Sequence, residues 1–274
     1  MSPALTLAPL LAEAQAAIGR SEARLLLRQV LGCDEAWLIA HGEAPLSAAQ
    51  AAQYRGLCAR RIAGEPVAYI SGSREFYGRE FAVNPAVLIP RPETELLVEL
   101  ALALLPQGAR VLDLGTGSGC IGITLAAERA DLQVLLVDAS TAALEVARGN
   151  AQRWAPANTT LLASHWYDAV DGARYDLIIS NPPYVAEGDA HLAQGDLRFE
   201  PRSALAAGDD GLADIRYIIA GARNHLLPSG WLLFEHGYDQ AEACAVLLDA
   251  AGFCERVAER DLAGIVRVSG GRCG

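Results

Sequence analysis

From residue 110 onward, short apolar runs alternate with longer stretches of helical spacing, and Gly, Ser, Asp or Pro marks most of the change-overs. The runs at 110–114, 134–138, 160–163, 175–180, 230–235, 253–258 and 264–269 have strand length, and those at 120–130, 140–153, 211–226 and 240–251 have helix length. Strands that are apolar throughout must be covered on both faces, and helices between parallel strands are what covers them. Few folds satisfy that alternation. It predicts an α/β architecture, a doubly wound, seven-stranded, mostly parallel sheet of Rossmann-like type.

The 274 residues exceed what such a sheet needs, so a small accessory domain is expected. The first sixty or so residues are rich in Ala, Leu, Arg and Glu at helical spacing, which predicts a helical bundle. Ser21 and Ser47 each precede an apolar-periodic stretch and are candidate helix caps. Residues 1–10 are apolar without a basic leader and are expected to lead into a helix. Gly64-Glu65-Pro66 breaks the bundle. Residues 67–84 are β-prone and interrupted by glycines, which predicts a β-hairpin. A helix is expected to begin near Glu93, after Pro85, Pro90 and Pro92. The resulting division is a helical domain over 1–65, a hairpin linker over 66–88 and the sheet domain over 89–274.

Composition narrows the function classes. No run of about twenty apolar residues is present, so no membrane span is expected. The net charge is −11; all 22 cationic residues are arginine. Residues 1–80 carry eight Arg and eight acidic residues, so the excess negative charge lies entirely beyond them. An acidic chain without a basic run lacks the footprint for neutralising phosphates, so direct nucleic-acid binding is not expected. The six cysteines form no C-x-x-C pair and stand at no metal-ligand spacing from a histidine, which predicts reduced thiols in a cytoplasmic protein and no metal site.

Three features carry chemistry. Asp113-Leu114-Gly115-Thr116-Gly117-Ser118-Gly119 joins an expected strand to an expected helix. Glycines there permit a tight turn and close ligand approach, and the helix start presents free N–H groups. The motif lacks the Lys-Ser/Thr ending of a phosphate-binding loop, and its glycines fall as G-x-G-x-G rather than as the dinucleotide pattern. Asp138 ends the next strand, where a carboxylate can accept hydrogen bonds from both hydroxyls of a ribose. Ser140 is the better cap for the following helix, which leaves Asp138 free for a ligand. Asn181-Pro182-Pro183-Tyr184 follows the fourth strand. Two prolines cannot extend a ladder. The rigid turn offers backbone carbonyls and the Asn side-chain carbonyl, a fit for an –NH2 group whose two hydrogens need two acceptors. Tyr184 adds a flat face for a planar amide or base.

This combination resembles the class I S-adenosylmethionine methyltransferases that act on planar amino nitrogens. Over nearly its full length the chain is more closely similar to the release factor N5-glutamine methyltransferases. The similarity rests also on Arg74-Glu75-Phe76-Tyr77-Gly78, Leu88-Ile89-Pro90-Arg91-Pro92-Glu93-Thr94-Glu95, Gly195-Asp196-Leu197-Arg198-Phe199-Glu200-Pro201 and Phe234-Glu235-His236-Gly237. It implies methyl transfer from S-adenosylmethionine to the glutamine of the Gly-Gly-Gln motif of class I peptide-chain release factors. By that resemblance Gly115, Thr116, Gly117, Ser118 and Gly119 would line the methionine part of the cofactor. Asp138 would hold the ribose, Trp166 would lie against the adenine, and Asn181 would border the cofactor as well as the substrate. Asn181, Pro182, Pro183 and Tyr184 would bind the glutamine, with Asn181, Pro182 and Tyr184 as the catalytic set. His165 stands where family members commonly carry an Asp that meets the adenine amino group; it is either a substitute ligand or an exposed side chain, and the second is favoured. Phe76 and Arg91 would shape the mouth of the substrate site; ordinary hairpin packing for Phe76, and an ion pair of Arg91 with Glu93 or Glu95, are equally open.

An amide nitrogen is a poor nucleophile because its lone pair is delocalised into the carbonyl. Accepting both of its N–H bonds, at Asn181 and the Pro182 carbonyl, would return density to nitrogen and aim it for in-line transfer. Three rival readings are a glutamine methyltransferase acting on a ribosomal protein, a nucleic-acid adenine N6 methyltransferase, and a non-enzymatic cofactor-binding protein. The helical domain and hairpin are expected to grip the protein substrate, and the chain is expected to be a monomer.

Overall fold

The computed structural model describes residues 6–274. The start of the expected lead-in helix, residues 1–5, lies outside the described residues. The chain forms two compact units that divide between Gly72 and Ser73.

Among the described residues the first unit holds five helices, α1 (Leu7–Ile18), α2 (Arg20–Leu31), α3 (Glu35–Ala40), α4 (Ala48–Ile62) and α5 (Val67–Ser71). Leu7, Leu10, Leu26, Leu27, Leu38 and Tyr54 pack its core, and the buried Tyr54 hydroxyl donates to the Ala23 carbonyl at 2.9 Å. Ser47 caps α4 in a reciprocal arrangement with Gln50. Ser21 is not a cap: α2 starts from Gly19, and Ser21 sits inside its first turn. Residues 67–71 are also a correction, being helical where a strand was expected. The Pro66 carbonyl accepts from the Tyr69 and Ile70 N–H groups. One short helix thereby buries Ala68, Tyr69 and Ile70 together, which an extended segment with alternating faces would not do. Tertiary burial overrides their β preference.

The second unit opens with a hairpin, β1 (Ser73–Phe76) and β2 (Arg79–Ala82), in which Phe76 pairs with Arg79 across a two-residue turn. A short 3-10 turn, Pro92–Thr94, leads into α6 (Glu95–Leu104). There follow β3 (Arg110–Leu114), α7 (Cys120–Glu128), β4 (Gln133–Asp138), α8 (Thr141–Trp154), β5 (Thr159–Ala163) and β6 (Tyr175–Ser180). The chain closes with α9 (Ala213–His225), β7 (Leu226–Glu235), α10 (Ala241–Ala250), β8 (Phe253–Arg260) and β9 (Val266–Cys273).

The seven strands run in the order β5-β4-β3-β6-β7-β9-β8, with β9 antiparallel to both of its neighbours. Side chains alternate between the faces. Val111, Leu136 and Ile179 join one core with Leu97 and Ile123, whereas Leu112, Leu114, Ile178 and Phe234 join the other with Ile215 and Leu248. Both faces are therefore dry, which is why the parallel strands read as continuous apolar runs. From β3 the chain winds one way through β4 to β5, then returns to β6 on the other side of β3. Beyond the carboxyl ends of the strands, this reversal leaves a crevice where ligands bind in open α/β sheets.

Candidate active site

A cavity of about 270 Å³ occupies that crevice. Gly115, Thr116, Gly117 and Ser118 from the β3–α7 loop line it, with Asp138 after β4, Trp166 after β5, and Asn181 and Pro183 after β6. Most of the residues singled out in the sequence thus meet in one wall. Gly119, Pro182 and Tyr184 are not among the residues that line it.

The loop is anchored from below. Asp113 is fully buried, and its Oδ2 accepts from the Thr116 hydroxyl at 2.6 Å and from the Gly122 N–H at 3.1 Å. Burial pushes the Asp113 carboxyl up to about 6, opposed by those two donors. Gly115 has φ 67°, and a Cβ there would come within 3.2 Å of the Trp166 ring, so the ring closes over backbone. Gly119 begins α7 at φ 83°, and a Cβ would meet Ile123 Cδ1 at 2.3 Å. The left-handed φ is what calls for glycine here, since the far end of the Ile123 side chain can move aside.

Asp138 Oδ2 accepts from the Gly117 N–H at 2.9 Å and Oδ1 from the Ser140 N–H at 2.8 Å. Ser140 itself caps α8 by accepting from the Ala143 N–H. A carboxylate offers about four acceptor positions, so two remain for a ligand. Burial raises the Asp138 carboxyl above its ordinary range. The buried Ser118 hydroxyl, in the same wall, has no partner. Free acceptor positions on an acid and an unpartnered hydroxyl beside a glycine turn fit a polar nucleoside bearing an amino-acid tail.

Trp166 forms part of the wall, with a hydrogen bond to Asp214 that opposes the rise burial causes in that carboxyl. His165 borders the cavity, yet its side chain is 60% exposed and lies 3.6 Å from Asp168 Oδ2.

The Asn181 turn holds the most informative contact. Asn181 Nδ2 donates to Thr94 Oγ1 at 3.1 Å, while its Oδ1 is buried without a partner. The Thr94 hydroxyl donates to Glu235 Oε2 at 2.6 Å, and the Tyr184 hydroxyl donates to Glu235 Oε1 at 3.2 Å. Glu235 is 2% exposed. Burial raises its carboxyl, against the lowering influence of Thr94, Tyr184 and Arg267. Burial, then the Glu235 charge, raises the Tyr184 phenol. Tyr184 therefore spends its hydroxyl on this network.

Phe76 is 1% exposed and packs edge-on to Phe81, so it belongs to the hairpin core. Arg91 does line the cavity, but its ion pair is with Glu200 at 2.5 Å, neither with Glu93 nor with Glu95. Glu200 also accepts from the Ile89 N–H, so one buried carboxylate holds the 89–91 segment. Thr94, Glu235 and Asp214 received no role from sequence. A lone acid closing an apolar strand, as in Phe234-Glu235, was the signal available for the second of them.

Residues 7–72 match the family described as PrmC N-terminal domain, and residues 92–199 the one described as Methyltransferase small domain. The chain is 56% identical over 255 residues to the release factor glutamine methyltransferase of Bordetella pertussis, covering 92% of this chain and 94% of that one. It is 46% identical over 254 residues to the release factor glutamine methyltransferase of Escherichia coli, covering 92% of each. Among solved structures it superposes on the Thermus thermophilus 16S rRNA N2 G1207 methyltransferase, in complex with AdoMet and guanosine, with a TM-score of 0.55 at 22% identity, over 74% of this chain and 50% of that one. A Pyrococcus furiosus methyltransferase gives a TM-score of 0.55 at 18% identity, over 79% of this chain and 97% of that one. At these identities the two structures speak for the fold.

Proposed function

The chain belongs to the release factor glutamine methyltransferases, and on that footing we propose that it methylates N5 of the glutamine in the Gly-Gly-Gln motif of class I peptide-chain release factors, at the cavity beside Asn181. It is an S-adenosylmethionine-dependent enzyme, and the wall of Gly115, Thr116, Gly117, Ser118, Asp138 and Trp166 is the part suited to hold that cofactor. When bound, the cofactor supplies an electrophilic methyl group whose leaving group is a neutral thioether.

The observation that carries this reading is the buried, unpartnered Asn181 Oδ1. A buried acceptor without a donor costs about 1–3 kcal/mol, so its natural partner is an N–H brought in by the substrate. A glutamine side chain brings an –NH2 group. Asn181 Oδ1 would accept one of its hydrogens, and the Pro182 carbonyl in the same rigid turn would accept the other. Both contacts favour density on nitrogen and fix its direction, and positioning of this kind supplies much of the rate. The chain needs no strong base, since a methylated, positively charged amide nitrogen releases its proton readily. Asp113 and Asp138 are engaged by backbone and hydroxyl donors.

The net charge of −11 speaks against a nucleic-acid target. No helix among the described residues is long and apolar enough to cross a membrane; we place the enzyme in the cytoplasm beside its translation-factor substrate.

The test is methyl transfer to purified release factors, read by peptide mass spectrometry, beside a substrate whose motif glutamine is replaced by alanine. One added methyl, absent from the control, is expected. Asn181→Ala should abolish transfer and leave cofactor affinity nearly unchanged by calorimetry. Loss of cofactor binding in that variant would show that Asn181 serves the cofactor instead of the amide.

A further inference from the structure

We propose that Thr94 and Glu235 are positioning residues that decide which end of the Asn181 amide faces the substrate. The inference rests on the reading of Asn181 as the acceptor for the target amide.

The two ends of an Asn amide have nearly the same shape and opposite hydrogen-bonding character. For substrate bearing –NH2, only the oxygen end is useful. Asn181 itself does not select it; a neighbour must. Thr94 is 1% exposed and has a single hydroxyl proton. That proton goes to Glu235 Oε2 at 2.6 Å. Thr94 Oγ1 then offers only lone pairs to Asn181, 3.1 Å away. An oxygen presenting lone pairs is matched by Nδ2 and repelled by Oδ1. The amide therefore turns Nδ2 to Thr94 and leaves Oδ1 unpartnered.

Glu235 is the origin of this polarity. Its two oxygens accept from both hydroxyls beside it, those of Thr94 and Tyr184, so both protons point inward. A neutral amide at that position could donate to Thr94, release the threonine proton toward Asn181, and turn the Asn181 nitrogen to the substrate. A buried acid is costly to keep. Here it directs hydrogen bonds through Thr94, which borders the cavity, to an acceptor that touches the substrate, while Glu235 itself stands behind the wall.

Two variants and one altered substrate separate this from a merely structural tie between the 92–94 turn and β7. Thr94→Ser keeps the hydroxyl and should stay within about threefold of wild type in kcat/KM for a release factor. Thr94→Val keeps the shape and should lose roughly 10- to 100-fold, the scale of one misdirected buried hydrogen bond. Its affinity for S-adenosylmethionine should be unchanged. The sharper readout uses a release factor whose motif glutamine is replaced by glutamate, as an inhibitor. Wild type should discriminate against that carboxylate, which has no N–H for Oδ1. In Thr94→Val, Asn181 can turn its nitrogen to the carboxylate, and the ratio of the inhibition constant to the KM of the glutamine substrate should fall about tenfold or more. A structural role would weaken both ligands alike and leave the ratio unmoved. Full activity in Thr94→Val, equal losses in the Val and Ser variants, or an unchanged ratio would each overturn the proposal.

A substrate-free measurement keeps the two readings apart. The Asn181 side-chain amide signal, assigned by its absence in Asn181→Ala, should show slowed hydrogen exchange in wild type and Thr94→Ser and lose it in Thr94→Val. If wild type transfers no methyl to release factors, the substrate reading fails while this exchange result still decides the orientation. Fast exchange in wild type overturns the network whatever the substrate.

Discussion

Asp138→Ala should remove cofactor binding while leaving the fold nearly untouched. The carboxylate already accepts the Gly117 N–H at 2.9 Å and the Ser140 N–H at 2.8 Å, so the two ribose hydroxyls would take its remaining acceptor positions. A hydrogen bond to a charged acceptor contributes about 1.5–3 kcal/mol net, so deleting two removes about 3–6 kcal/mol. At about 1.4 kcal/mol per tenfold, the dissociation constant of S-adenosylmethionine should rise roughly 10²- to 10⁴-fold. The fold loses far less. Burial holds the Asp138 carboxyl above its usual range, so its charge is kept there at some cost to the ligand-free protein. Ser140 still caps α8 through the Ala143 N–H. The change in unfolding free energy should stay within about 1 kcal/mol. Asp138→Asn retains one acceptor and should fall between, at roughly 10- to 100-fold. Calorimetric titration with S-adenosylhomocysteine, beside urea melts of the same samples, measures both quantities. An alanine variant that binds within about threefold of wild type would show that the carboxylate does not touch the ribose. A binding loss matched by a collapsed melt would show that its two backbone contacts matter more than its free positions.

Two further outcomes follow from buried groups. Tyr54→Phe deletes the donor to the Ala23 carbonyl and should cost the first unit about 1–1.5 kcal/mol in a urea melt, with cofactor affinity unchanged; an unchanged midpoint would show that the bond contributes nothing. Asp113 has a carboxyl raised from 3.8 to about 6 by burial, so its contribution to stability is fully present below the unfolded value and is lost as pH rises through about 6. That gap corresponds to on the order of 3 kcal/mol. Asp113→Asn lacks this titration, so its stability relative to wild type should improve between about pH 4 and about pH 7, and a difference that stays constant across that window refutes the raised value.

Much of the catalytic domain was readable because it is locally encoded. Each parallel strand is a continuous apolar run, and Gly115, Asp138 and Asn181 each stand directly beyond a strand end, where the winding of the sheet converges. Local signals failed where burial or a distant partner decides. Residues 67–71 have β-prone side chains, yet a helix buries three of them at once. Arg91 had two acids nearby in sequence and took Glu200, 109 residues away.

Asn181 shows how far local encoding reaches. Its position after β6 and before two prolines identifies a rigid amide at the head of the crevice, and nothing within that tetrapeptide says which end of the amide looks outward. The orientation comes from Thr94, 87 residues earlier, and from Glu235, which is paired with Thr94 across 141 residues. The chemistry available at a site can be read from residues at fixed short spacing. Its direction, donor or acceptor, is a property of a hydrogen-bond chain that only the folded protein assembles. Because such a chain conveys polarity through single protons, a substitution that preserves volume, such as Thr94→Val, can change what the site recognises without changing its shape.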